Sequence, residues 1–413
     1  METTELKPLK ANVELGDLMN KHMVDIAEAV RTKNKKIAWC GSVGPVELAR
    51  GMGYLVYFPE YHGVILGQNP PMATDYIPYA VAHGYSPDIC SYLTSDIGAY
   101  LKGETPWTKG YGLEGIPKPD VMIYNTNQCR EVYDWFSFYA KEWDVPIVGV
   151  NTPRVQPVVR DDIIKLGVTQ FKEMIPTMEK AAGRKFDIDE FRETVRLSRE
   201  LTDLWNEVLE TCKTKPSPFS FLPDGLLHLG PVVLMRGTQE VIDFVKILLA
   251  ELKERVSQGV AAIEGEKHRF YWEGMPLWGR YMALSELFAR LKICVVASTY
   301  CNSWLFPDLD PKDPFESMAK AYSSIFVTMD DQWKENYLAD TISRFDIDGM
   351  IYHDAKTCPD NCNNRYGMPD RLSKRTDVPN LVINGDQNDL RLFSEEQTIT
   401  NLEAFVEQIE ESS

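Results

Sequence analysis

Eight cysteines are the residues of this 413-residue chain best suited to chemistry: Cys40, Cys90, Cys129, Cys212, Cys294, Cys301, Cys358 and Cys362. A thiolate is a soft ligand for zinc, copper(I) or iron–sulfur centres. No Cys-x-x-Cys pair occurs, so neither a zinc ribbon nor a bacterial-type ferredoxin run is available. A long chain with no secretory signature is also a poor setting for a disulfide framework. Any metal site must therefore be assembled from distant segments.

Three cysteines stand where such a site could form. Cys129 follows the apolar run Asp120-Val121-Met122-Ile123-Tyr124-Asn125, and Cys358 follows Asp348-Gly349-Met350-Ile351-Tyr352-His353. Cys90 lies in Ser86-Pro87-Asp88-Ile89-Cys90-Ser91-Tyr92, where a proline turn precedes a helix that begins near the cysteine. A helix N-terminus favours a thiolate. Iron–sulfur clusters need converging thiolates from such loops, although each cysteine taken singly also fits a small buried hydrophobe. Cys362, four residues after Cys358, is a candidate extra ligand and equally a solvent-facing loop residue. Cys301 follows the Cys294–Ser298 run and could line the same crevice, whereas Cys40, Cys212 and Cys294 sit on apolar runs and read as core. The histidines show no metal-type spacing; His353, at the end of the strand before Cys358, is the exception to watch.

The elements that position these residues read as a repeat. A helical arm, with Leu15, Leu18, Met19, Met23, Ile26 and Val30 at helical spacing, precedes the run Ile37–Cys40 and the turn Gly41-Ser42-Val43-Gly44-Pro45. Proline after a Gly/Ser loop suits a helix start, here Pro45–Met52. Tyr54–Phe58 lacks polar alternation and predicts a buried strand. The strand before Cys129 leads to a helix (Val132–Trp143) and to Val145-Pro146-Ile147-Val148-Gly149-Val150-Asn151. The strand before Cys358 leads, in the same order, to Val378-Pro379-Asn380-Leu381-Val382-Ile383-Asn384. His268–Pro276 parallels the Trp39–Pro45 turn more loosely, followed by a helix (Leu277–Leu291) and the strand Ile293–Ser298.

The fold class expected is therefore α/β: two related Rossmann- or flavodoxin-like domains with parallel sheets, plus a helical domain. Residues 1–156 would form the arm and first α/β domain, 157–260 the helical domain, and 261–413 the second α/β domain. Phe191, Val195, Leu197, Leu201, Leu204 and Trp205 show the helical period within the middle segment, and Lys215-Pro216-Ser217-Pro218 breaks it. Each α/β domain would offer one cysteine at a strand's carboxyl end, where open α/β sheets bind ligands.

A net charge of −17 argues against nucleic-acid binding, which needs a positive field. No run approaches the 18 apolar residues of a membrane span, and Met1–Lys7 lacks a signal-peptide pattern, so a cytoplasmic protein is expected. There is no Gly-x-x-x-x-Gly-Lys-Ser/Thr loop and no Gly-x-Ser-x-Gly elbow, hence no support for ATP hydrolysis or a serine-hydrolase mechanism in this chain. Nicotinamide binding is not expected either.

Several stretches together resemble the benzoyl-CoA reductase and 2-hydroxyacyl-CoA dehydratase family. They are Ile37–Ala49, Phe58-Pro59-Glu60, Asp88-Ile89-Cys90, the Asn125–Cys129 loop, Lys215-Pro216-Ser217-Pro218-Phe219, Met235-Arg236-Gly237-Thr238-Gln239-Glu240, Ala355-Lys356-Thr357-Cys358 and Asn384-Gly385-Asp386-Gln387. They run in family order from about residue 10 to the end. The resemblance implies a [4Fe–4S] cluster held by Cys90, Cys129 and Cys358, with Ser42 and Glu60 as active-site residues. It also implies an acyl-CoA substrate, a homologous second subunit in a heteromer, and a separate iron–sulfur ATPase that activates by delivering a low-potential electron.

Within the family, the loop Tyr124-Asn125-Thr126-Asn127-Gln128-Cys129 departs from the Cys-Cys-Asn-Asn-x-Cys typical of the dehydratases it resembles. The loop Asn363–Pro369 departs as well. Both favour the cluster-bearing subunit of an ATP-dependent benzoyl-CoA-type reductase, with a 2-hydroxyacyl-CoA dehydratase subunit as the alternative. A non-catalytic electron-relay subunit is the reading from a different class.

Overall fold

Two four-stranded, all-parallel sheets organise the chain. The computed structural model describes residues 8–364 and 366–412; Met1–Lys7, and Arg365 of the loop Asn363–Pro369, lie outside the described residues. The first sheet holds β1 (Ile37–Cys40), β2 (Leu55–Tyr57), β3 (Val121–Asn125) and β4 (Ile147–Val150), in the order β2-β1-β3-β4. The second holds β5 (His268–Glu273), β6 (Ile293–Ser298), β7 (Gly349–Ala355) and β8 (Asn380–Gly385), in the order β6-β5-β7-β8. The two orders are the same, so β5 to β8 repeat β1 to β4.

The reason lies in the strands' composition. A parallel strand is covered by helices on both faces and reads as a continuous apolar run. Ile37–Cys40, His268–Glu273 and Ile293–Ser298 are buried along their whole length. In both sheets the chain moves outward from the first strand to the second, then crosses back to the other side for the third. Such a reversal opens a crevice at the carboxyl ends of the two central strands. In the first sheet that point lies between β1 and β3, and in the second between β5 and β7.

Helices expected from sequence form with small shifts at their ends. The arm is the helix Asn12–Thr32, and Val46–Gly51 and Glu131–Trp143 follow β1 and the Cys129 loop. The stretch expected as one helix from Leu277 to Leu291 is instead a 3₁₀ turn, Trp278–Arg280, and the helix Tyr281–Arg290. Between the sheets run the long helices Asp161–Ala182, Ile188–Glu210 and Gln239–Gln258, with Leu226–Leu234 among them. The arm packs on the last two, and Val46–Gly51 packs on Ile188–Glu210, so one continuous apolar core joins arm, helices and both sheets.

One glycine spacing of the dinucleotide-binding type does occur, Gly110-Tyr111-Gly112-Leu113-Glu114-Gly115. It ends the short helix Pro106–Tyr111 and precedes β3, whereas the phosphate-binding turn must leave a strand and open a helix. Among the described residues no helix is long and apolar enough to cross a membrane.

Candidate functional site: a cysteine-lined crevice

The loops leaving β1 and β5 are shaped by close backbone approach. A Cβ on Gly44 would lie 2.7 Å from Cys40 Sγ and 2.8 Å from the Gly41 carbonyl oxygen. Gly274 has φ +99°, and a Cβ there would lie 2.9 Å from the His353 carbonyl oxygen and 3.1 Å from that of Asn361. Only glycine meets both demands. The first turn presents Ser42; the second lays its chain against the loop that carries Cys358.

Beneath the Ser42 turn lies a buried ion pair. Arg236 Nε donates to Glu47 Oε1 at 2.9 Å, and its Nη2 donates to the Gly44 carbonyl at 3.2 Å and to Tyr322 Oη at 2.8 Å. Tyr322 in turn donates to Glu47 Oε2 at 2.6 Å. Arg236 belongs to one of the stretches that carry the family resemblance. Its place is under the turn, holding it, rather than on the cavity wall.

Glu60 opens the helix Pro59–Gly67 and is held from two loops. The Ser42 amide donates to both carboxylate oxygens, at 3.1 and 3.0 Å, and Gln128 Nε2 donates to Oε1 at 2.6 Å. Gln128, one residue before Cys129, also accepts from the Val43 amide at 3.3 Å. Burial raises the Glu60 carboxyl pKa, and the Ser42 and Gln128 donors oppose the rise. Asn127 sits behind them, donating to the carbonyls of Val43 at 3.1 Å and Tyr322 at 3.0 Å. The Cys129 loop is therefore tied to the Ser42 turn by side-chain amides.

On the other side Asp386, at the end of β8, ties Cys90's helix to the Cys358 loop. Its Oδ1 accepts from Ser91 Oγ at 2.5 Å, and its Oδ2 accepts from the amide and hydroxyl of Thr357 at 2.8 and 2.6 Å. The Ser91 amide donates to Thr357 Oγ1 at 3.0 Å. Asn388 extends the joint, donating to the Gly63 carbonyl at 2.8 Å.

These two braces bring the predicted residues together. Ser42, Glu60, Cys90, Cys129 and Cys358 all line one cavity of about 340 Å³ between the carboxyl ends of the sheets. Cys90 caps the helix Ser91–Lys102; burial pushes its thiol up to about 12, against the opposing pull of the Leu93 and Tyr92 amides. Burial raises Cys129 and Cys358 too, and neighbouring thiols raise them further: Cys90 acts on Cys129, while Cys90, Cys362 and Cys129 act on Cys358. Three such thiols cannot all ionise beside one another unless a cationic group sits among them, and a metal reverses the balance by deprotonating its thiol ligands outright. Among the described residues no three His, Cys, Asp or Glu side chains converge closely enough to hold a single metal ion.

Cys301 and Cys362 do not reach the cavity. Cys301 is buried in the helix Thr299–Asn302 while its neighbours Tyr300 and Ser303 line the wall. Cys362 turns into the protein: its Sγ accepts from the Ala355 amide and faces the Ala355 carbonyl, both at 3.1 Å. Both candidate extra ligands thus lie off the cavity wall, with the Cys362 thiol held by backbone. His353 is buried with Nδ1 2.6 Å from the Met275 carbonyl oxygen and is likewise off the wall. Sequence reasoning passed over Gln128, Asp386 and the aromatic group Tyr92, Trp278 and Tyr300. Their signal was adjacency: each lies within two residues of a cysteine, a strand end or a helix start already singled out.

The architecture and site define a class: an α/β protein built from a repeated four-stranded sheet, with three cysteines from three loops facing one crevice. Residues 41–409 match the sequence model of the family described as 2-hydroxyglutaryl-CoA dehydratase, D-component, and the chain belongs to that family. It is 29% identical over 412 residues to the (R)-phenyllactyl-CoA dehydratase alpha subunit of Clostridium sporogenes, covering 98% of this chain and 96% of the relative. It is 27% identical to the (R)-2-hydroxyisocaproyl-CoA dehydratase alpha subunit of Clostridioides difficile, covering 97% of each. With a benzoyl-CoA reductase subunit of Thauera aromatica it shares 28% identity over 79% of this chain and 78% of the relative.

Proposed function

We propose that this chain is the cluster-bearing subunit of a heteromeric enzyme that removes water from a 2-hydroxyacyl-CoA thioester. The observation that carries the reading is the position of Cys90, Cys129 and Cys358 on one cavity wall with Ser42 and Glu60. Three thiols that face one crevice suit a polynuclear group, whose metal atoms each take their own sulfur. The dehydratase alpha subunits named above align over nearly the whole chain, which moves the preference from reductase to dehydratase. Their designation as subunits supports a second, homologous chain, and an iron–sulfur ATPase activator belongs to the same proposal.

A [4Fe–4S] cluster on the three cysteines would supply single low-potential electrons. The chain's own residues do the rest. The Ser42 hydroxyl can donate to the thioester carbonyl oxygen as negative charge develops there. Glu60, its pKa raised by burial, can deliver a proton to the departing hydroxide and take one from the next carbon. The largely apolar wall would exclude water from the reacting acyl group. Because an electron lent by such a cluster would be returned to it, the net change would be loss of water without net oxidation, with Glu60 both giving and taking the proton.

The reductase reading keeps one supporting observation: the β3 loop carries Tyr124 and Asn125 where the dehydratases it resembles carry a cysteine pair. One experiment separates the two. The chain is produced anaerobically with its partner and activator, assayed for iron and sulfide, and offered an (R)-2-hydroxyacyl-CoA and benzoyl-CoA. About four irons per chain with formation of the unsaturated acyl-CoA is the expected result. Ring reduction without dehydration would transfer the assignment to the reductase, and a folded, iron-free protein after reconstitution would overturn the cluster.

A further inference from the structure

Gln128 and Gln387 both line the cavity, and their carboxamides are used differently. Gln128 is engaged at both ends: its Nε2 donates to Glu60 and its Oε1 accepts from the Val43 amide. Gln387, just past the end of β8, is wholly buried, and its backbone carbonyl accepts from the Trp278 amide at 3.2 Å. Its side chain is engaged at one end only. Nε2 donates to Thr357 Oγ1 at 3.0 Å, while Oε1 has no partner among the described residues. The surroundings fix which end is which. A threonine hydroxyl gives one hydrogen and accepts two. The Thr357 hydrogen goes to Asp386 Oδ2 at 2.6 Å, because that carboxylate also takes the backbone amides of Thr357, Asn388 and Asp389 and is an acceptor throughout. The Ser91 amide fills one acceptor position of Thr357 Oγ1 at 3.0 Å, which leaves room only for a second donor. Reversing the Gln387 amide would set oxygen against oxygen, so Nε2 faces Thr357 and Oε1 is turned away from it.

Resting on the function proposed above, we infer that Gln387 is a specificity-determining residue, whose carboxamide oxygen accepts the hydrogen bond of the substrate's 2-hydroxyl group between the Cys90 and Cys358 loops. A buried carbonyl left without a donor is unfavourable, and the chain supplies none. A 2-hydroxyl brings the hydrogen that this oxygen lacks. An acyl thioester with no substituent on that carbon, or with a 2-oxo group, brings no O–H and leaves the amide stranded. Sites built around such a bond reject the ligand that lacks it more firmly than apolar pockets reject a missing methylene. The bond also directs the leaving oxygen. With its hydrogen engaged by Gln387, its lone pairs stay free for the proton that Glu60, on the same cavity, would deliver. The anchor is the succession Asp386, Thr357, Gln387, so the brace that spaces Cys90 and Cys358 also orients the amide.

The test is binding, read apart from turnover. The chain is purified anaerobically with its partner subunit, without activator, and titrated calorimetrically with (R)-lactoyl-CoA and with propanoyl-CoA. These form the smallest pair that differs only by the 2-hydroxyl. (R)-Lactoyl-CoA is expected to bind about tenfold more tightly. Gln387→Met keeps the length and removes the amide; it should weaken (R)-lactoyl-CoA about tenfold and leave propanoyl-CoA within about threefold of the unaltered chain. Gln387→Asn, which draws the oxygen back by one methylene, should do the same and serves if the methionine variant does not fold. Equal affinities in the unaltered complex, no binding of either thioester, a preference retained in a folded variant, or equal weakening of both thioesters would overturn the inference. A complex that shows the preference, loses it in the variants, and dehydrates no 2-hydroxyacyl-CoA would leave the inference standing and remove the dehydratase reading instead.

Discussion

Ser91 Oγ lies 2.5 Å from Asp386 Oδ1, although 295 residues separate the two in the chain. Ser91 follows Cys90, and the other oxygen of Asp386 holds Thr357, which precedes Cys358. One buried carboxylate thereby sets the distance between two of the three cysteines, and it also accepts from the amides of Asn388 and Asp389 at 3.1 and 3.0 Å.

Asp386→Ala should therefore loosen the crevice as well as the fold. It strands several buried donors, each costing about 1–3 kcal/mol; with partial relaxation a total loss of about 3–5 kcal/mol is expected. Urea unfolding measures the stability, and iron content after anaerobic reconstitution should fall in parallel. Full iron retention would show that the cysteines hold their places without the brace.

Cysteine replacements should divide into two groups. Serine at Cys90, Cys129 or Cys358 should lower iron and acid-labile sulfide per chain. Serine at Cys301 or Cys362, both turned away from the cavity, should leave both unchanged. Loss of iron on changing Cys362 would return it to the ligand set.

The ion pair under the Ser42 turn should be costly to break from one side. Arg236→Ala leaves Glu47 buried, charged and short of a donor, and roughly 3–5 kcal/mol of stability should be lost. Comparing Arg236→Ala, Glu47→Gln and the double variant by urea unfolding should reveal strong coupling. Additive losses would mean that the pair does not act as a unit.

Glu273 predicts a pH dependence. Burial raises its pKa to about 7, partly offset by Thr299 and Asn363. A carboxyl raised above its unfolded value binds its proton more tightly when folded, so its contribution is present at low pH. It is lost as pH rises from the unfolded value of about 4.3 towards 7. Glu273→Gln should remove that slope, shrinking the difference in urea midpoint between pH 5 and pH 8. Asp224, also raised to about 7 by burial, works in the same window and keeps part of the slope. An unchanged profile in the variant would mean Glu273 does not titrate there.

Much of the fold was legible in the chain itself. Parallel strands covered on both faces must be apolar throughout, so Ile37–Cys40, Val121–Asn125 and Ile293–Ser298 stand out as runs. The matched order around Cys129 and Cys358 exposed the repeat because the same architecture imposes the same succession of strand, loop and helix. The three cysteines were legible for a related reason: each lies at or near the end of a strand or the start of a helix, whereas Ser42 and Glu60 entered only through the family resemblance.

What the chain alone determined, then, was the set of elements and the loops that could carry chemistry, since local pattern encodes both. Only the tertiary structure decided which cysteines face the crevice. Cys358 and Cys362 are four residues apart, yet one lines the cavity and the other is bound to backbone. It also decided the brace at Asp386 and the seat of Arg236 beneath the turn. Each depends on side chains from segments far apart in sequence, whose meeting follows from how the sheets and helices pack.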